Sequence, residues 1–438
     1  MAEKLTITDY GMDGVGIAHS QRTHFLKNAI LGEEVEIVGN KTKVVTSSPN
    51  RVKPFCPYFE TCGGCNLQHM NEAEQQNYKT IYVKNCLNKY KVNYNKKFDY
   101  KKNNNLYYRN KISFAVREEN GENKIGLFQQ KTHKIVEIDE CLITDKQHIK
   151  LLEVFREYLK QKVSCFCEET KKGNIKNIVV RFCENNLLIC VVGTKNVFPQ
   201  KEKLIELLST LNEKFSLSFC FNSNPKTILN TNIKTVFGEE EINVEKNGLV
   251  VAQNIGSFFQ VNDEISSQIY DYVSGQIKTQ SVVVDAYSGA GTMTAMLAKK
   301  AKFAIGVECN IHAVKASQKL FEQNNVKNAT VLLGRCEDLI PTIITKDEIK
   351  IDTTKAIKFE KDNLFCVLDP PRKGCDKRVI DAIKKSEISN IIYVSCEPIT
   401  LSRDLQELTK VFNIEKICLF DMFYLTSRVE TVVCLKRR

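Results

Sequence analysis

The fold is decided by residues 281–292, which read SVVVDAYSGAGT. The first half is rich in valine and predicts a strand buried on both faces. The second half predicts a tight turn from strand to helix, because glycine permits a sharp bend and lets a ligand approach the backbone. The next strand, residues 303–307, ends in Glu308, whose carboxylate can accept hydrogen bonds from both hydroxyls of a ribose.

Around this stretch, from about residue 251 onward, strands alternate with helices. The alternating segments are residues 281–286, 292–300, 303–308, 311–324, 329–333, 364–368, 377–385 and 390–395. They predict an α/β fold with a parallel, doubly wound sheet, and residues 345–362 are interpreted as a polar surface excursion. A dinucleotide-binding enzyme is the rival hypothesis. Its G-x-G-x-x-G fingerprint is not met, since Thr294 occupies the third glycine position.

Two further strands of this region end in residues suited to catalysis. Residues 363–368 run into the sequence DPPRKG at Asp369, where two prolines hold the preceding aspartate in place. A later strand ends at Cys396, just before a helix, where ligand chemistry usually occurs and the helix dipole favours a thiolate. Near the end of the chain, Glu430 stands two residues after Arg428. The sequence therefore offers a thiol and carboxylates for one site.

These residue types fit methylation of uracil at C5, a carbon too weakly nucleophilic to take a methyl group unaided. A thiolate that adds to C6 makes C5 able to attack a methyl sulfonium, and a base must then remove the C5 proton so that the thiolate can leave. Cys396 fits the nucleophile and Glu430 the base, while Asp369 can hydrogen-bond the uracil or the cofactor.

Two other base methylations share parts of this pattern. Enzymes that methylate the amino group of adenine are disfavoured, because Arg372 stands where they place an aromatic residue and because they need no thiol. A cytosine-C5 methyltransferase is chemically closer, since it also adds a thiolate to C6. The ordered set of motifs favours uracil.

Four of the seventeen cysteines have the spacing of metal ligands. Cys56, Cys62 and Cys65 stand in a glycine-containing loop, and Cys141 can supply a fourth thiolate. Zinc and an iron–sulfur cluster both fit four thiolates. The arrangement of three plus one favours the cluster, because zinc tends to use two close pairs.

The first part of the chain predicts two smaller domains. Residues 1–50 contain short strands and glycine turns that suit a small β-barrel, and residues 51–250 suit an α+β domain. Within the latter we predict a loop at 51–68, a helix at 69–90 and a Lys/Asn-rich connector at 91–105. Residues 251–438 form the third predicted domain.

Charge and hydropathy bound the class of protein. Sixty-three Lys and Arg against 52 Asp and Glu give a net charge of +11, which favours a polyanionic partner. Residues 107–111 interleave aromatic and basic side chains, as base stacking with phosphate contact requires. With no apolar run of about 18 residues and no signal core, we expect a cytoplasmic monomer that binds RNA and no membrane.

Five motifs, in order along nearly the whole chain, resemble one family. The patterns are F-x-Q-V-N, D-x-x-S-G-x-G, D-P-P-R-x-G, S-C-x-P and R-x-E-T-V-x-x-L. They resemble the RNA uracil-C5 methyltransferases that act on 23S ribosomal RNA and on the tRNA T-loop. The resemblance implies a Rossmann-like catalytic domain dependent on S-adenosylmethionine, with Cys396 as nucleophile and Glu430 as proton acceptor. It implies four contacts to that cofactor, from Gln260, Tyr287, Glu308 and Asp369.

The resemblance also extends to the first two domains. It implies a TRAM/OB-like RNA-binding barrel at residues 1–50, here shortened between Val38 and Ser47, and a 4Fe-4S cluster on the four spaced cysteines. Ribosomal-RNA members carry that cluster, so we expect a 23S rRNA uracil-C5 methyltransferase. A tRNA T-loop enzyme and a non-catalytic RNA-binding iron–sulfur protein are the alternatives. Glu397 departs from the family, which usually has asparagine there.

Overall fold

The computed structural model describes residues 4–39, 41–103, 105–184, 186–345, 348–350, 356–358 and 363–438. The predicted polar excursion at 345–362 lies mostly outside these residues. Within the described part, no helix combines the length and apolar character needed to cross a membrane.

An antiparallel sheet of five strands begins the chain. Its strands are β1 (Lys4–Tyr10), β2 (Gly16–His19), β3 (Thr23–Leu26), β4 (Glu34–Val38) and β5 (Lys41–Thr46). Their order is β3-β2-β1-β4-β5. Alternate residues of β1 are buried, among them Leu5 and Ile7, as a sheet with one covered face requires. The pairing places β3 and β5 at the ends of the order, so closure into a barrel stays a prediction.

The helix predicted at 69–90 is α1 (Glu72–Lys89), and the short strand β6 (Asp99–Lys101) follows it. The helix begins where it does because the Asn71 side chain accepts the N–H of Glu74 at 2.9 Å. Residues 51–70 before it form a loop with isolated bridges only, which includes the loop predicted at 51–68.

The central sheet has seven strands and two helices. The strands are β7 (Lys111–Glu119), β8 (Glu122–Phe128), β9 (Ile135–Val136), β10 (Ile175–Cys183), β11 (Asn186–Gly193), β12 (Lys214–Phe221) and β13 (Ile233–Phe237), and the helices are α2 (His148–Leu159) and α3 (Lys201–Ser209). Their order is β13-β12-β11-β10-β7-β8-β9. Every residue of β10 is buried, because α2 and α3 cover one face and the C-terminal region packs on the other.

The C-terminal region alternates strands and helices after a hairpin. Its elements are β14 (Ile242–Lys246), β15 (Leu249–Gln253), α4 (Asp263–Gly275), β16 (Val282–Ala286), α5 (Thr292–Ala298), β17 (Phe303–Glu308), α6 (Ile311–Gln323), β18 (Ala329–Leu333), α7 (Cys336–Thr345), β19 (Glu348–Lys350), β20 (Ala356–Lys358), β21 (Leu364–Leu368), α8 (Lys377–Lys385), β22 (Asn390–Ser395), α9 (Pro398–Leu408), β23 (Phe412–Phe420) and β24 (Glu430–Arg437). The predicted α/β alternation is confirmed.

The C-terminal sheet is parallel in five strands and mixed at one end. Its order is β18-β17-β16-β21-β22-β24-β23-β6, and the first five strands run parallel. β24, which the predicted alternation of strands and helices did not include, runs antiparallel to β22 and β23. The reason is topological: β24 returns from β23 through a short loop, and a short connection permits only antiparallel pairing.

Residues 72–101 pack away from the domain that the sequence suggests for them. Val83, Leu87 and Val92 lie in the core of the C-terminal sheet, and β6 pairs with β23 at its edge. The three-domain division stays a prediction, but its middle segment is shared between two sheets. The predicted connector at 91–105 thus contains a strand of the C-terminal sheet.

Candidate active site

Three carboxylates stand at the carboxyl edge of the parallel strands. Asp285 lies on β16, Glu308 ends β17 and Asp369 follows β21. Because adjacent parallel strands end at one edge, these side chains approach one another. Burial, with Asp369 and Glu308 nearby, raises the pKa of Asp285 to about 7. Burial also raises the pKa of Asp369 to about 7.

The glycine turn fixes Glu308. The Gly289 N–H donates to Glu308 Oε2 at 3.1 Å, and the Asn310 N–H donates to Oε1 at 2.7 Å. Gly291 has a φ of +78°, and a Cβ added there would stand 2.7 Å from Ser317 Cβ. Both strand-to-helix geometry and close packing therefore require glycine at 291.

The same turn has hydrogen-bonding capacity that the protein itself does not use. Among the described residues of this turn, Ser288 Oγ is buried without a hydrogen-bond partner, and a Cβ at Gly289 would meet open space. A buried unpaired polar atom is costly, so it indicates a site for a polar ligand beside Glu308. A nucleoside fits this set. Thr294, whose presence breaks the dinucleotide fingerprint, forms a hydrogen bond within the turn: its hydroxyl donates to Asp285 Oδ2 at 2.6 Å.

Cys396 and Glu430 face the same charged groups. Cys396 lies half-buried between β22 and α9, and Glu430 is the first, buried residue of β24. Burial raises the pKa of Cys396 to about 11, with Glu430 adding to the effect and Arg372 opposing it. Burial and Asp369 raise the pKa of Glu430 to about 8, and Arg372 opposes that as well. The antiparallel direction of β24 is what brings its first residues beside the last residues of β22, with Thr431 opposite Ser395.

The N-terminal sheet contributes to the cleft at the thiol. Cys396 and Tyr82 line a narrow cleft together with Met12 and Asp13, from the turn between β1 and β2. Arg428 Nη1 lies 3.1 Å from Glu397 Oε2, and Arg428 Nη2 lies 3.9 Å from Asp13 Oδ1. The unusual Glu397 is thus the partner of Arg428.

Gln260 lies at a separate cavity. It is half-buried and lines a cavity of about 410 Å³ with Phe259, Lys246 and Thr292, the first residue of α5. Among the described residues that line this cavity, neither Cys396 nor Glu430 is present. Its cofactor contact stays a prediction.

The four spaced cysteines line one cavity of about 220 Å³. Burial, with Cys141 and the other two thiols as neighbours, raises the pKa of Cys65 to about 12. The Gly64 N–H donates to Cys62 Sγ and the Thr144 hydroxyl to Cys141 Sγ, each at 3.4 Å. As these side chains stand, no group of three or more His, Cys, Asp or Glu in the described part of the chain could hold a metal ion.

Two residues of the candidate active site, Asp285 and Arg372, had no role assigned from the sequence. Asp285 belongs to the D-x-x-S-G-x-G motif, and its place at the end of a buried strand was the available signal. Arg372 served only to exclude other methyltransferases, although it is the cation that opposes the raised pKa values of both Cys396 and Glu430. Its proximity to them depends on which strand ends meet.

Residues 71–438 match the family described as tRNA (Uracil-5-)-methyltransferase. The chain belongs to this family. The N-terminal sheet lies before the matched residues. The predicted resemblance to RNA uracil-C5 methyltransferases is thereby confirmed, and the chain is an RNA uracil-C5 methyltransferase with S-adenosylmethionine as methyl donor.

Relatives of similar length support the same family. A protein of Clostridium tetani named "Uncharacterized RNA methyltransferase" is 34% identical over 451 residues, covering 98% of this chain and 95% of the relative. A protein of Caldanaerobacter subterraneus with the same designation is 33% identical, covering 99% and 98%. The structure of the Pyrococcus abyssi tRNA (uracil-54, C5)-methyltransferase, in complex with S-adenosyl-L-homocysteine, superposes with a TM-score of 0.76. At 24% identity, covering 99% of this chain and all of that one, it shows the shared fold.

Proposed function

We propose that the protein methylates C5 of a uridine in 23S rRNA through a bond between Cys396 sulfur and C6 of the base. The observation that carries the proposal is the meeting of β22 and β24, with a thiol and a buried carboxylate at adjacent ends. A thiol that adds to a ring and a base that removes the neighbouring proton must reach the same two carbons, so they must stand together.

The residues act in a fixed order. The Cys396 thiol gives its proton to solvent, and its sulfur bonds to C6, which places the electron pair of the former C5–C6 double bond on C5 and O4. S-adenosylmethionine, when bound, would supply the electrophilic methyl group with which that electron pair bonds, leaving S-adenosylhomocysteine. Glu430 then takes the C5 proton, the C5–C6 double bond re-forms, and the carbon–sulfur bond breaks to release the thiolate. Arg372 is the cation that favours the ionised form of both groups.

The cofactor site is proposed at the glycine turn. Glu308, held by two backbone N–H groups, would accept the ribose hydroxyls, the unpaired Oγ of Ser288 would gain a partner, and Tyr287 of the same turn would contact the cofactor. Asp369 would stand between the cofactor and the base, with Gln260 reaching from the neighbouring cavity.

We propose a 4Fe-4S cluster on Cys56, Cys62, Cys65 and Cys141. Its support is that four thiols line one cavity and that two of them already accept hydrogen bonds of the kind that tune cluster sulfurs. The cluster is also the reason to prefer ribosomal RNA, which the family resemblance associates with it. A tRNA T-loop uridine is the second candidate, because the matching family is described as tRNA methyltransferases.

The substrate is tested by mass-spectrometric mapping of 5-methyluridine in RNA from cells with and without the gene. Loss of one or more 5-methyluridines from 23S rRNA is expected. Loss confined to tRNA position 54 would overturn the ribosomal assignment and leave the chemistry intact.

The chemistry is tested with 5-fluorouridine at the mapped position. Methyl transfer can proceed, but no base can remove fluorine as a cation, so the enzyme–RNA bond should persist on a denaturing gel. Peptide mass spectrometry should locate it at Cys396. Methylation of that RNA without any adduct, or an adduct on another cysteine, would contradict the mechanism.

A further inference from the structure

The loop between β23 and β24, residues 421–429, is called here the base loop, because it leads directly into Glu430. It is buried for most of its length, and Leu425 at its centre is fully buried with a φ of +68°. A leucine in the left-handed region is strained and persists only where its surroundings hold it. The contacts that hold this loop are therefore informative.

The loop is fixed at its start by a buried ion pair. Lys79 Nζ on α1 lies 2.5 Å from Asp421 Oδ1, with neither side chain more than 4% exposed, and the Tyr100 hydroxyl donates to Asp421 Oδ2 at 3.1 Å. Lys79 also donates to the Phe423 carbonyl at 3.4 Å. These contacts explain where the loop begins, but they lie seven or more residues from the carboxylate of Glu430.

The middle of the loop is held by the cysteine loop, residues 62–67. The backbone N–H groups of Asn66 and Leu67 both donate to the Leu425 carbonyl, at 3.2 and 3.1 Å. The Leu425 side chain packs in a cluster that includes Cys65 and Cys141. The strained residue is thus held by the segment that carries the spaced cysteines.

The Asn66 side chain holds the end of the loop. Its Oδ1 accepts the N–H of Ser427 at 2.7 Å, and its Nδ2 donates to Ser427 Oγ at 2.9 Å. The same Nδ2 donates to the Asp13 carbonyl at 2.9 Å, in the turn that lines the cleft at the thiol. The Asn66 amide therefore joins the base loop to the turn of the N-terminal sheet. Its contact on the base loop, Ser427, lies three residues before Glu430.

We infer that Asn66 is a positioning residue for Glu430, through which the cysteine loop sets the efficiency of proton removal. The inference rests on the proposed function, in which Glu430 takes the C5 proton. It also gives the cysteine loop a part in the chemistry, in addition to any contact that loop makes with RNA.

The affected step has a distinct signature. When Glu430 accepts the C5 proton, the electrons of the C5–H bond form the C5–C6 double bond, and the C6–sulfur bond breaks to return the Cys396 thiolate. Earlier steps do not need Glu430. A displaced Glu430 should therefore let the methylated adduct form and accumulate, whereas general unfolding would reduce every step.

The test compares Asn66→Ala with Asn50→Ala on ordinary uridine RNA. Asn50 is a matched control, since it is also half-buried in the segment before α1 and its side chain donates to Glu74 on that helix at 2.7 Å. We expect Asn66→Ala to lower kcat by about tenfold to a hundredfold, as small misplacements of a reacting group do, with KM for S-adenosylmethionine unchanged. A covalent adduct should appear on a denaturing gel. Asn50→Ala should show neither effect.

A conservative change refines the test. Asn66→Asp keeps the acceptor for the Ser427 N–H and loses the donor to Ser427 Oγ and to the Asp13 carbonyl, so its adduct and its loss of kcat should be smaller than those of Asn66→Ala. Equal losses in Asn66→Ala and Asn50→Ala without adduct would overturn the inference. So would normal turnover in Asn66→Ala.

Glu430→Gln separates this inference from the function on which it rests. If Glu430→Gln accumulates adduct on ordinary RNA and Asn66→Ala does not, only the role of Asn66 is wrong. If Glu430→Gln accumulates none, the role of Glu430 fails and the inference falls with it.

Discussion

Cys396 and Cys65 are both half-buried thiols whose pKa is raised, but their neighbours differ. Cys396 faces the carboxylates of Glu430 and Asp369 and the guanidinium of Arg372. Cys65 faces three other thiols. A lone thiol beside a cation can ionise and attack a substrate, whereas four clustered thiolates repel one another until a cationic centre joins them. The different roles that we propose for the two cysteines therefore follow from their neighbours and not from the residue type.

The largest effect is expected from Cys396→Ser, which tests whether Cys396, and not a cysteine of the other site, is the nucleophile. A serine hydroxyl is far less acidic than a thiol, so methyl transfer should fall by about a thousandfold or more. Turnover is measured with labelled S-adenosylmethionine, and bound iron is measured in the same preparation. Iron content should stay unchanged. The exposed Cys309, replaced by Ala, is the control, and loss of turnover there but not in Cys396→Ser would reverse the assignment.

The reciprocal change is Cys62→Ser at the cysteine cavity. Anaerobically purified wild-type protein should be brown and contain iron and acid-labile sulfide, and the variant should lose both and melt at a lower temperature. Cys167→Ser is the matched control, because Cys167 is buried in the central region and does not line the cavity. Stoichiometric zinc without iron in the wild type would refute the cluster, and unchanged iron in Cys62→Ser would exclude this ligand.

A smaller effect is expected from Glu308→Ala, which leaves both thiol sites intact. Removing hydrogen bonds to a charged group should weaken S-adenosylmethionine binding by about 1–3 kcal/mol. Calorimetry measures this change, and RNA affinity should barely move. Glu322→Ala, on the exposed face of α6, should bind the cofactor normally. Unchanged affinity in Glu308→Ala would remove this carboxylate from the cofactor site.

The last prediction concerns the pH dependence of stability and sharpens the electrostatic contrast. Folding raises the pKa of Glu430 from 4.5 to about 8, mainly through burial. Its favourable contribution is therefore complete below about pH 4.5 and is lost as pH rises through about 8. At pH 4, Glu430→Gln should have the same melting temperature as the wild type. As pH rises to about 8, the melting temperature of the variant should exceed that of the wild type by a growing margin. Scanning fluorimetry measures both. A constant difference across that range would contradict the raised pKa.

Short stretches of sequence were enough to predict many of the strands and helices. Apolar runs bounded by turn residues predicted β16, β17, β21 and β22 close to their observed bounds, because the apolar pattern of a strand is set by a few neighbouring residues. Helices α4 and α7 were not predicted, and the orientation of β24 was missed. Strand direction depends on what a connection packs against, which no short window of residues contains.

The sequence by itself determined which chemistry is possible, through a thiol, a set of carboxylates and five ordered motifs. It also determined the family. Only the tertiary structure decided that Asn66 contacts Ser427 across 361 positions and that β24 presents Glu430 beside the thiol. Those juxtapositions follow from long-range packing and strand order, whose free energy belongs to many weak contacts at once and to no single motif.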